Sequence, residues 1–184
     1  MALNANIVQL SVDLYQKSFF KNLKSVIDMG DQDLNMTLDQ LKYSLNVLNL
    51  KNFDQTFSAA RFYPKRPRLS SSVFWKVLGF EKTDRLDLIK LNRIQNDPLD
   101  NFFTVDLNFP IENQTKIGQY DLVTDMGNNE HPFDVVQSYK SMHKICKKNG
   151  FLLIQQALTG GNGFYNFDIS FFENIAAVNN YSIV

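Results

Sequence analysis

The chain has 184 residues, 44% of them hydrophobic and 21% charged, a composition typical of one globular domain with a sizeable core. Its 19 Lys and Arg residues balance its 19 Asp and Glu residues, which argues against a nucleic-acid or anionic-membrane partner, because either would need a basic excess. The single cysteine, Cys146, excludes an intrachain disulfide. Neither a signal peptide nor a membrane span is predicted, so we expect a cytoplasmic protein.

The N-terminal part of the chain predicts two helices around one strand. A leading amphipathic helix is predicted over Leu14 to Leu23, followed by a strand over Ser25 to Gly30. Thr37 and Gln40 fit a capping box at the start of the second helix. The apolar face of that helix consists of leucines at helical spacing: Leu38, Leu41, Leu45 and Leu48.

The central part begins with an irregular segment, residues 50–69, in which prolines and cations interrupt any pattern. The serines of residues 70–72 then fit the cap of a short helix that runs through Leu78 and ends at Gly79. Three further strands are predicted beyond it: near Leu86 to Leu91, over Phe102 to Asp106 and over Tyr120 to Met126.

The C-terminal part predicts two helices and two strands. In chain order these are a helix from about Pro132 to Lys148, a strand over Phe151 to Leu158, a helix near Ile169 to Val178 and the start of a sixth strand over Tyr181 to Val184. A glycine-rich loop, Gly160 to Gly163, follows the fifth strand. Because strands alternate with helices, the pattern predicts βαβ units and a parallel sheet.

Four predicted strands deliver a carboxylate or carboxamide at their C-terminal ends. In open parallel sheets, ligands bind beyond these ends, where the strand order reverses. Carboxylates there can accept hydrogen bonds from ribose hydroxyls, an adenine amine or an α-ammonium group. The alternative is that these residues only end strands and cap helices. The four strand ends are residues 28–30, 87–92, 106–108 and 125–127.

The turn after the first strand, Ile27 to Asp33, carries one glycine. A dinucleotide-binding turn would show G-x-G-x-x-G, which lets the backbone approach a pyrophosphate. Asp31 and Asp33 would repel a pyrophosphate, so the turn favours a positively charged ligand without phosphate.

The segment Tyr120 to His131, YDLVTDMGNNEH, resembles the fourth-strand motif of class I S-adenosylmethionine (SAM) methyltransferases, in particular a subgroup with a D-L-V-T-x-x-G-x-x-E-H pattern. Three other segments resemble the same subgroup: Ile27 to Asp33, Val105 to Pro110 and Gly161 to Tyr181. The resemblance implies a Rossmann-like α/β fold, with a doubly wound, mostly parallel sheet in the strand order 3-2-1-4-5. The final hairpin of that fold would be incomplete, so residues 1–184 would form a single domain truncated at its C-terminus.

The resemblance also implies a SAM site. Gly30 would approach the methionine part of SAM, with Asp28 beneath the turn. Asp87, or alternatively Asn92, would hold the ribose hydroxyls. The remaining implied contacts are Asp106 to the adenine amine, Leu107 beside the adenine ring, and Asp125 to Gly127 along the passage between the methyl group and the acceptor.

His131 is the candidate catalytic residue. It lies beside Glu130 at the predicted N-terminus of a helix, where a neutral imidazole is favoured and can accept a proton from a hydroxyl or amine. The alternative is a residue that only caps the helix. Two other sets of candidates are weaker, because each has a structural alternative. An aromatic cluster either walls an acceptor pocket or packs the core: Phe164, Tyr165, Phe167, Phe171 and Phe172. Three cations either contact an anionic acceptor or lie in a solvated loop: Lys65, Arg66 and Arg68.

We therefore expect a SAM-dependent methyltransferase that acts on a small molecule or a glycan precursor. The alternatives are a SAM-binding but inactive domain or truncated subunit of a larger complex, and a Rossmann-like interaction module without a cofactor. No metal-ligand spacing, P-loop or G-x-S-x-G elbow is present, so no metal site is expected. If the last hairpin is incomplete, the apolar strand beginning at Phe151 leaves an open sheet edge, which predicts self-association.

Overall fold

The computed structural model describes residues 2–48, 70–89 and 99–184. The strands in these ranges are β1 (Ala2–Leu3), β2 (Ser25–Met29), β3 (Asp33–Leu34), β4 (Lys82–Asp87), β5 (Asn101–Thr104), β6 (Tyr120–Met126) and β7 (Cys146–Gln155). The helices are α1 (Ala5–Gln16), α2 (Leu38–Leu45), α3 (Ser71–Val77), α4 (Val135–Ile145) and α5 (Ile169–Val178), with short 3₁₀ turns at Asn46–Leu48 and Ile111–Asn113.

Five of these strands form one all-parallel sheet in the order β5-β4-β2-β6-β7. This order confirms the predicted 3-2-1-4-5 arrangement of a Rossmann-like α/β fold. The chain builds outward from β2 through β4 to β5, and then returns to place β6 and β7 on the other side of β2. The strand order therefore reverses between β2 and β6, which is where such sheets bind ligands. Strands β1 and β3 form a separate parallel pair.

The sheet is buried on both faces. In β2 and β6, Val26 and Leu122 join one apolar cluster, whereas their neighbours Ile27 and Val123 join the other. Alternate residues of a strand point to opposite faces, so both faces must be covered. Helices α1, α2 and α3 supply the first cluster, and α4 supplies the second.

The first helix lies earlier than predicted. The predicted helix over Leu14 to Leu23 is wrong, because α1 begins at Ala5 and ends at Gln16. The side chain of Asn4 caps it by accepting hydrogen bonds from the amides of Asn6 and Ile7. It ends before Ser18, which has a left-handed backbone with a φ of 67°.

The second strand of the sheet also lies earlier than predicted. It was expected near Leu86 to Leu91, but β4 spans Lys82–Asp87. Two of its charged residues, Asp84 and Arg85, are buried. The hydroxyl of Tyr120 donates to Asp84, and Lys82 Nζ lies 3.1 Å from Asp84 Oδ2. An apolar pattern cannot find a strand whose buried side chains are paired ions.

The helix after β6 is shorter than predicted. It was expected from about Pro132 to Lys148, but α4 spans Val135–Ile145, because Asp134 caps it by accepting from the amide of Gln137. Strand β7 begins immediately afterwards at Cys146 and ends at Gln155, not over Phe151 to Leu158. The register with β6 shifts within it, around Asn149, which has a φ of 62°. It is an edge strand whose apolar residues are partly buried on both faces: Phe151 and Leu153 pack with the first apolar cluster, and Leu152 and Ile154 pack with the second.

Several local predictions are confirmed. The capping box of Thr37 and Gln40 is present, Ser70 caps α3, and α5 has the predicted bounds. The predicted sixth strand over Tyr181 to Val184 does not form. Instead, the Tyr181 amide donates to the carbonyl of Ala176, and the Tyr181 hydroxyl lies 2.6 Å from His143 Nδ1. Within the described ranges, no helix combines the length and apolarity that a bilayer crossing requires.

Candidate functional site

Two glycine turns flank the point at which the strand order reverses. Gly30 follows β2 with a φ of 89°, and Gly127 follows β6 with a φ of 79°, values that disfavour any side chain. Their amides donate to the carbonyls of Leu86 and Gln155, each at 2.7 Å, so each turn is tied to a neighbouring strand. A Cβ at Gly127 would meet no atom within 4 Å, so the space beyond β6 is open.

Asp28 lies beneath the first turn and is fully engaged there. Its carboxylate accepts hydrogen bonds from Ser71 Oγ at 2.5 Å, Trp75 Nε1 at 3.0 Å and Thr124 Oγ1 at 2.5 Å. Burial raises the pKa of Asp28, while nearby Arg85 and these donors oppose the rise. Asp28 therefore ties β2 to α3 and β6, and it supports the turn from below.

The acidic first turn contains a partner that sequence reasoning missed. Arg85 of β4 is buried, and its Nη1 lies 2.9 Å from Asp31 Oδ1. Its Nη2 also donates to Ser72 Oγ at 2.6 Å. Asp33 is buried in β3. The charge of Asp31 is thus balanced inside the protein, and the predicted repulsion of a pyrophosphate by Asp31 and Asp33 loses its basis.

Asp87 and Asp106 lie at the ends of the next two strands. Asp87 is the last residue of β4, and its Oδ2 accepts from the amide of Asp31 at 2.7 Å, which places it beside the Gly30 turn. Asp106 follows β5, and its Oδ1 accepts from both the amide and the side chain of Asn108. Leu107 is buried in the second apolar cluster. Asn92, the alternative to Asp87, lies outside the described residues.

Asp125 organises the loop after β6. It is fully buried, and its Oδ1 accepts from the amides of Asn128 at 2.8 Å and Asn129 at 3.2 Å, while its Oδ2 accepts from Gln156 Nε2 at 2.5 Å. Burial raises the pKa of Asp125 to about 7; the three hydrogen bonds lower it, and the charge of Glu130 raises it further. This carboxyl therefore titrates near neutrality.

Glu130 joins the loop after β6 to the loop after β7. Its main-chain oxygen accepts from the amides of Phe164 at 2.7 Å and Tyr165 at 3.4 Å, and Tyr165 Oη donates to the carbonyl of Phe133 at 2.5 Å. A Cβ at Gly163 would lie 2.3 Å from the Glu130 oxygen, so the close approach requires glycine there. Sequence reasoning missed this contact, although the glycine-rich loop is its signal.

His131 does not lie at a helix N-terminus. Its helix begins at Val135, and the His131 amide closes a turn by donating to the carbonyl of Asn128 at 3.0 Å. The expected effect of the helix N-terminus on the imidazole is therefore wrong. The His131 side chain is 41% exposed, and its Nε2 lies 3.6 Å from Glu130 Oε1.

The aromatic cluster divides into exposed and packed members. Phe167 is buried, with Tyr139 and Phe171 against it, and Phe171 and Phe172 are half-buried, so these rings pack as expected. Phe164 is 73% exposed and meets Phe133, 78% exposed, edge to face at 6.4 Å. The cations Lys65, Arg66 and Arg68 lie outside the described residues.

The segments that follow β2, β5, β6 and β7 contain acidic residues but no Lys or Arg. These segments are residues 30–37, 105–110, 127–134 and 156–168. Their acidic residues are Asp31, Asp33, Asp106, Glu130, Asp134 and Asp168. At the opposite edge, Lys24 precedes β2 and Lys82 begins β4. Arg85 balances Asp31, and Asp33 is buried, so only the carboxylates after β5, β6 and β7 disfavour phosphates at this edge.

The five-stranded parallel sheet and the helices around it define an α/β protein with a Rossmann-like fold. No protein-family model, curated protein or solved structure matched the chain in comparison. Within the described residues, no group of three His, Cys, Asp or Glu side chains is placed to hold a metal ion. Burial raises the pKa of the Cys146 thiol to about 11, so it is not an activated nucleophile.

Proposed function

We propose that the chain binds SAM at the C-terminal edge of its sheet and transfers the methyl group to a small molecule or a glycan precursor. The observation that carries this proposal is the pair of positive-φ glycine turns where the strand order reverses, with Asp87 and Asp106 at the neighbouring strand ends. The C-terminal edge of the sheet at the point where the strand order reverses is the common ligand site of open parallel sheets.

The residues at this edge fit SAM by the chemistry of their side chains. SAM is a cation with a ribose and an adenine but no phosphate, and the segments after β5, β6 and β7 offer carboxylates without Lys or Arg. Asp87 lies beside Gly30, where its carboxylate can accept from ribose hydroxyls. Both hydrogen bonds of the Asp106 carboxylate within the described residues go to Oδ1. Its other oxygen, Oδ2, can therefore accept from an adenine amine.

The chain's own residues must then position and deprotonate the acceptor, because bound SAM supplies an electrophilic methyl group. The open space next to Gly127 admits the acceptor to the end of β6. His131 is the candidate base, since its imidazole is partly exposed on the loop that Gly127 begins. Glu130 stands next to the imidazole and balances the charge that forms when His131 takes up a proton.

A second candidate is a domain that binds SAM without catalysis. The 3.6 Å between His131 Nε2 and Glu130 Oε1 exceeds a hydrogen bond, so the candidate base has no firm orienting partner. The two candidates differ in methyl transfer but not in cofactor binding.

Calorimetry with S-adenosylhomocysteine and NAD tests the shared cofactor claim. We expect micromolar binding of S-adenosylhomocysteine and none of NAD. Asp106→Asn should weaken binding by about 1–3 kcal/mol, because it replaces the free oxygen with a donor. Glu81→Gln is the matched control, since that carboxylate lies at the opposite sheet edge, paired with Lys24. Preferential NAD binding would overturn the proposal, and unchanged affinity in Asp106→Asn would remove Asp106 from the site.

A further inference from the structure

We infer that the methyl acceptor is an amine, held as its ammonium form by Glu130 beside the rings of Phe133 and Phe164. This inference rests on the proposed function and names its substrate class. Three features of the edge carry it: a carboxylate without a hydrogen bond on an almost wholly buried residue, two exposed rings on loops that hydrogen bonds join, and the absence of Lys and Arg from the segments that follow β6 and β7.

The Glu130 carboxylate makes no hydrogen bond within the described residues, although the residue is only 5% exposed. The ion-pair distance it shows there is the 3.6 Å from His131 Nε2 to its Oε1. A buried carboxylate is costly unless it is paired with a cation or a donor. An ammonium group supplies both, whereas a neutral hydroxyl would leave the negative charge uncompensated.

The glycine-rich loop packs closely against the Glu130 side chain. A Cβ at Gly161 would lie 2.7 Å from the Ala157 Cβ and 3.0 Å from Glu130 Oε2, so this close approach requires glycine. The same loop also carries Phe164, one of the two exposed rings.

Phe133 and Phe164 are exposed on two loops that hydrogen bonds join. The Phe164 amide donates to the Glu130 carbonyl, and Tyr165 Oη donates to the Phe133 carbonyl. Exposed rings add little to the core, but ring faces bind organic cations well. The pair therefore suits the carbon substituents around an ammonium group.

The charges around Glu130 exclude an acidic acceptor. The segments 127–134 and 156–168 contain Glu130, Asp134 and Asp168 but no Lys or Arg. A phosphate or carboxylate acceptor would meet three like charges and no counter-charge.

The transfer step balances with His131 as the proton acceptor. The bound ammonium gives one proton to the imidazole, which frees the nitrogen lone pair. That pair forms the new N–CH₃ bond as the C–S bond of SAM breaks, and both electrons of the C–S bond stay on sulfur. The products are S-adenosylhomocysteine and a methylated ammonium, and His131 releases its proton to water.

The test compares three probes of one shape: benzylamine, benzyl alcohol and benzoate. Calorimetry on the full chain with S-adenosylhomocysteine present should show benzylamine binding at least about 10-fold more tightly than benzyl alcohol. Glu130→Gln should abolish that preference, and Phe164→Ala should weaken benzylamine about two- to fivefold. Phe109→Ala is the control, because Phe109 is also exposed but lies on the loop after β5. Mass spectrometry should then detect N-methylbenzylamine when SAM is supplied.

The outcomes separate this inference from the function on which it rests. Tight binding of S-adenosylhomocysteine without a preference for benzylamine overturns the inference alone. A preference for benzylamine without binding of S-adenosylhomocysteine supports the amine site and overturns the methyltransferase proposal. Glu130→Gln should also keep or raise the melting temperature, because it removes an uncompensated buried charge. A marked drop would show that the carboxylate is structural and would overturn the inference.

Discussion

The substitution Asp125→Asn should stabilise the protein at alkaline pH and flatten its pH dependence. Asp125 is fully buried, and its Oδ1 holds the amides of Asn128 and Asn129. An amide oxygen at that position keeps both bonds. The new NH₂ group would face Gln156, whose Oε1 is buried without a partner, so a flip of the Gln156 amide restores the third bond.

The expected magnitude follows from the pKa of the buried carboxyl. Burial raises it from 3.8 to about 7, so the folded state binds a proton more tightly than the unfolded chain does. The resulting stabilisation is fully present below the ordinary pKa of the carboxyl and is lost as pH rises through the folded value. At about 1.4 kcal/mol per pKa unit, the loss is at most on the order of 4 kcal/mol between about pH 4 and about pH 8.

The assay is urea unfolding of the wild type and Asp125→Asn across this pH range. The difference in unfolding free energy between them should grow with pH in favour of the variant. Asp28 shifts in the same direction but is common to both proteins, so the difference isolates Asp125. Asp125→Ala should be less stable than Asp125→Asn by about 1–3 kcal/mol at every pH, because it leaves two amides without an acceptor.

Asp168→Asn is the matched control for the direction in which stability changes with pH. Asp168 caps α5 on the surface, and its hydrogen bond with Ser170 lowers its pKa, so its contribution to stability is lost as pH falls. The reasoning about Asp125 fails if Asp125→Asn is as sensitive to pH as the wild type, or less stable than the wild type at alkaline pH.

Three further measurements check other parts of the structure. His131→Ala should lower turnover by about 10²–10⁴-fold and leave the affinity for S-adenosylhomocysteine unchanged, so normal turnover would exclude a base role. Gly163→Ala should lower stability by about 1–3 kcal/mol in chemical denaturation, because its Cβ would collide with the Glu130 carbonyl. Gly118→Ala meets no atom and should be neutral by comparison. Within the described residues nothing pairs with the outer side of β7, so light scattering should show association that grows with concentration, and a monomer throughout would refute this.

The parts of the fold that the sequence predicted well are those in which local and tertiary signals agree. Strand β6 runs from Tyr120 to Met126 as predicted, because its apolar run ends at a glycine with a positive φ. The bounds of α5 were predicted for a similar reason, since Asp168 caps its first turn. The predicted strand order came from the resemblance of the 120–131 segment to a Rossmann-like family, and the observed sheet has that order.

The parts that were predicted poorly depend on partners distant in sequence. Arg85 is separated by 54 residues from Asp31, so neither residue by itself reveals a buried ion pair. The glycine-rich loop indicates a close approach, but it does not reveal that the partner is the Glu130 carbonyl, because every residue has a main-chain oxygen. The sequence therefore predicted the strand ends that carry Asp28, Asp106 and Asp125, but the charge balance of the first turn and the joining of the last two loops required coordinates.

The hydrogen bonds that join Glu130 to Phe164 and Tyr165 also constrain how this edge can open. Neither loop can swing outward without breaking the bonds that hold the other, so the two should open together, as one cooperative unit. Hydrogen–deuterium exchange at the Phe164 amide would consequently report on a loop far earlier in the chain. Entry of a ligand would be governed by a single opening equilibrium shared by both loops.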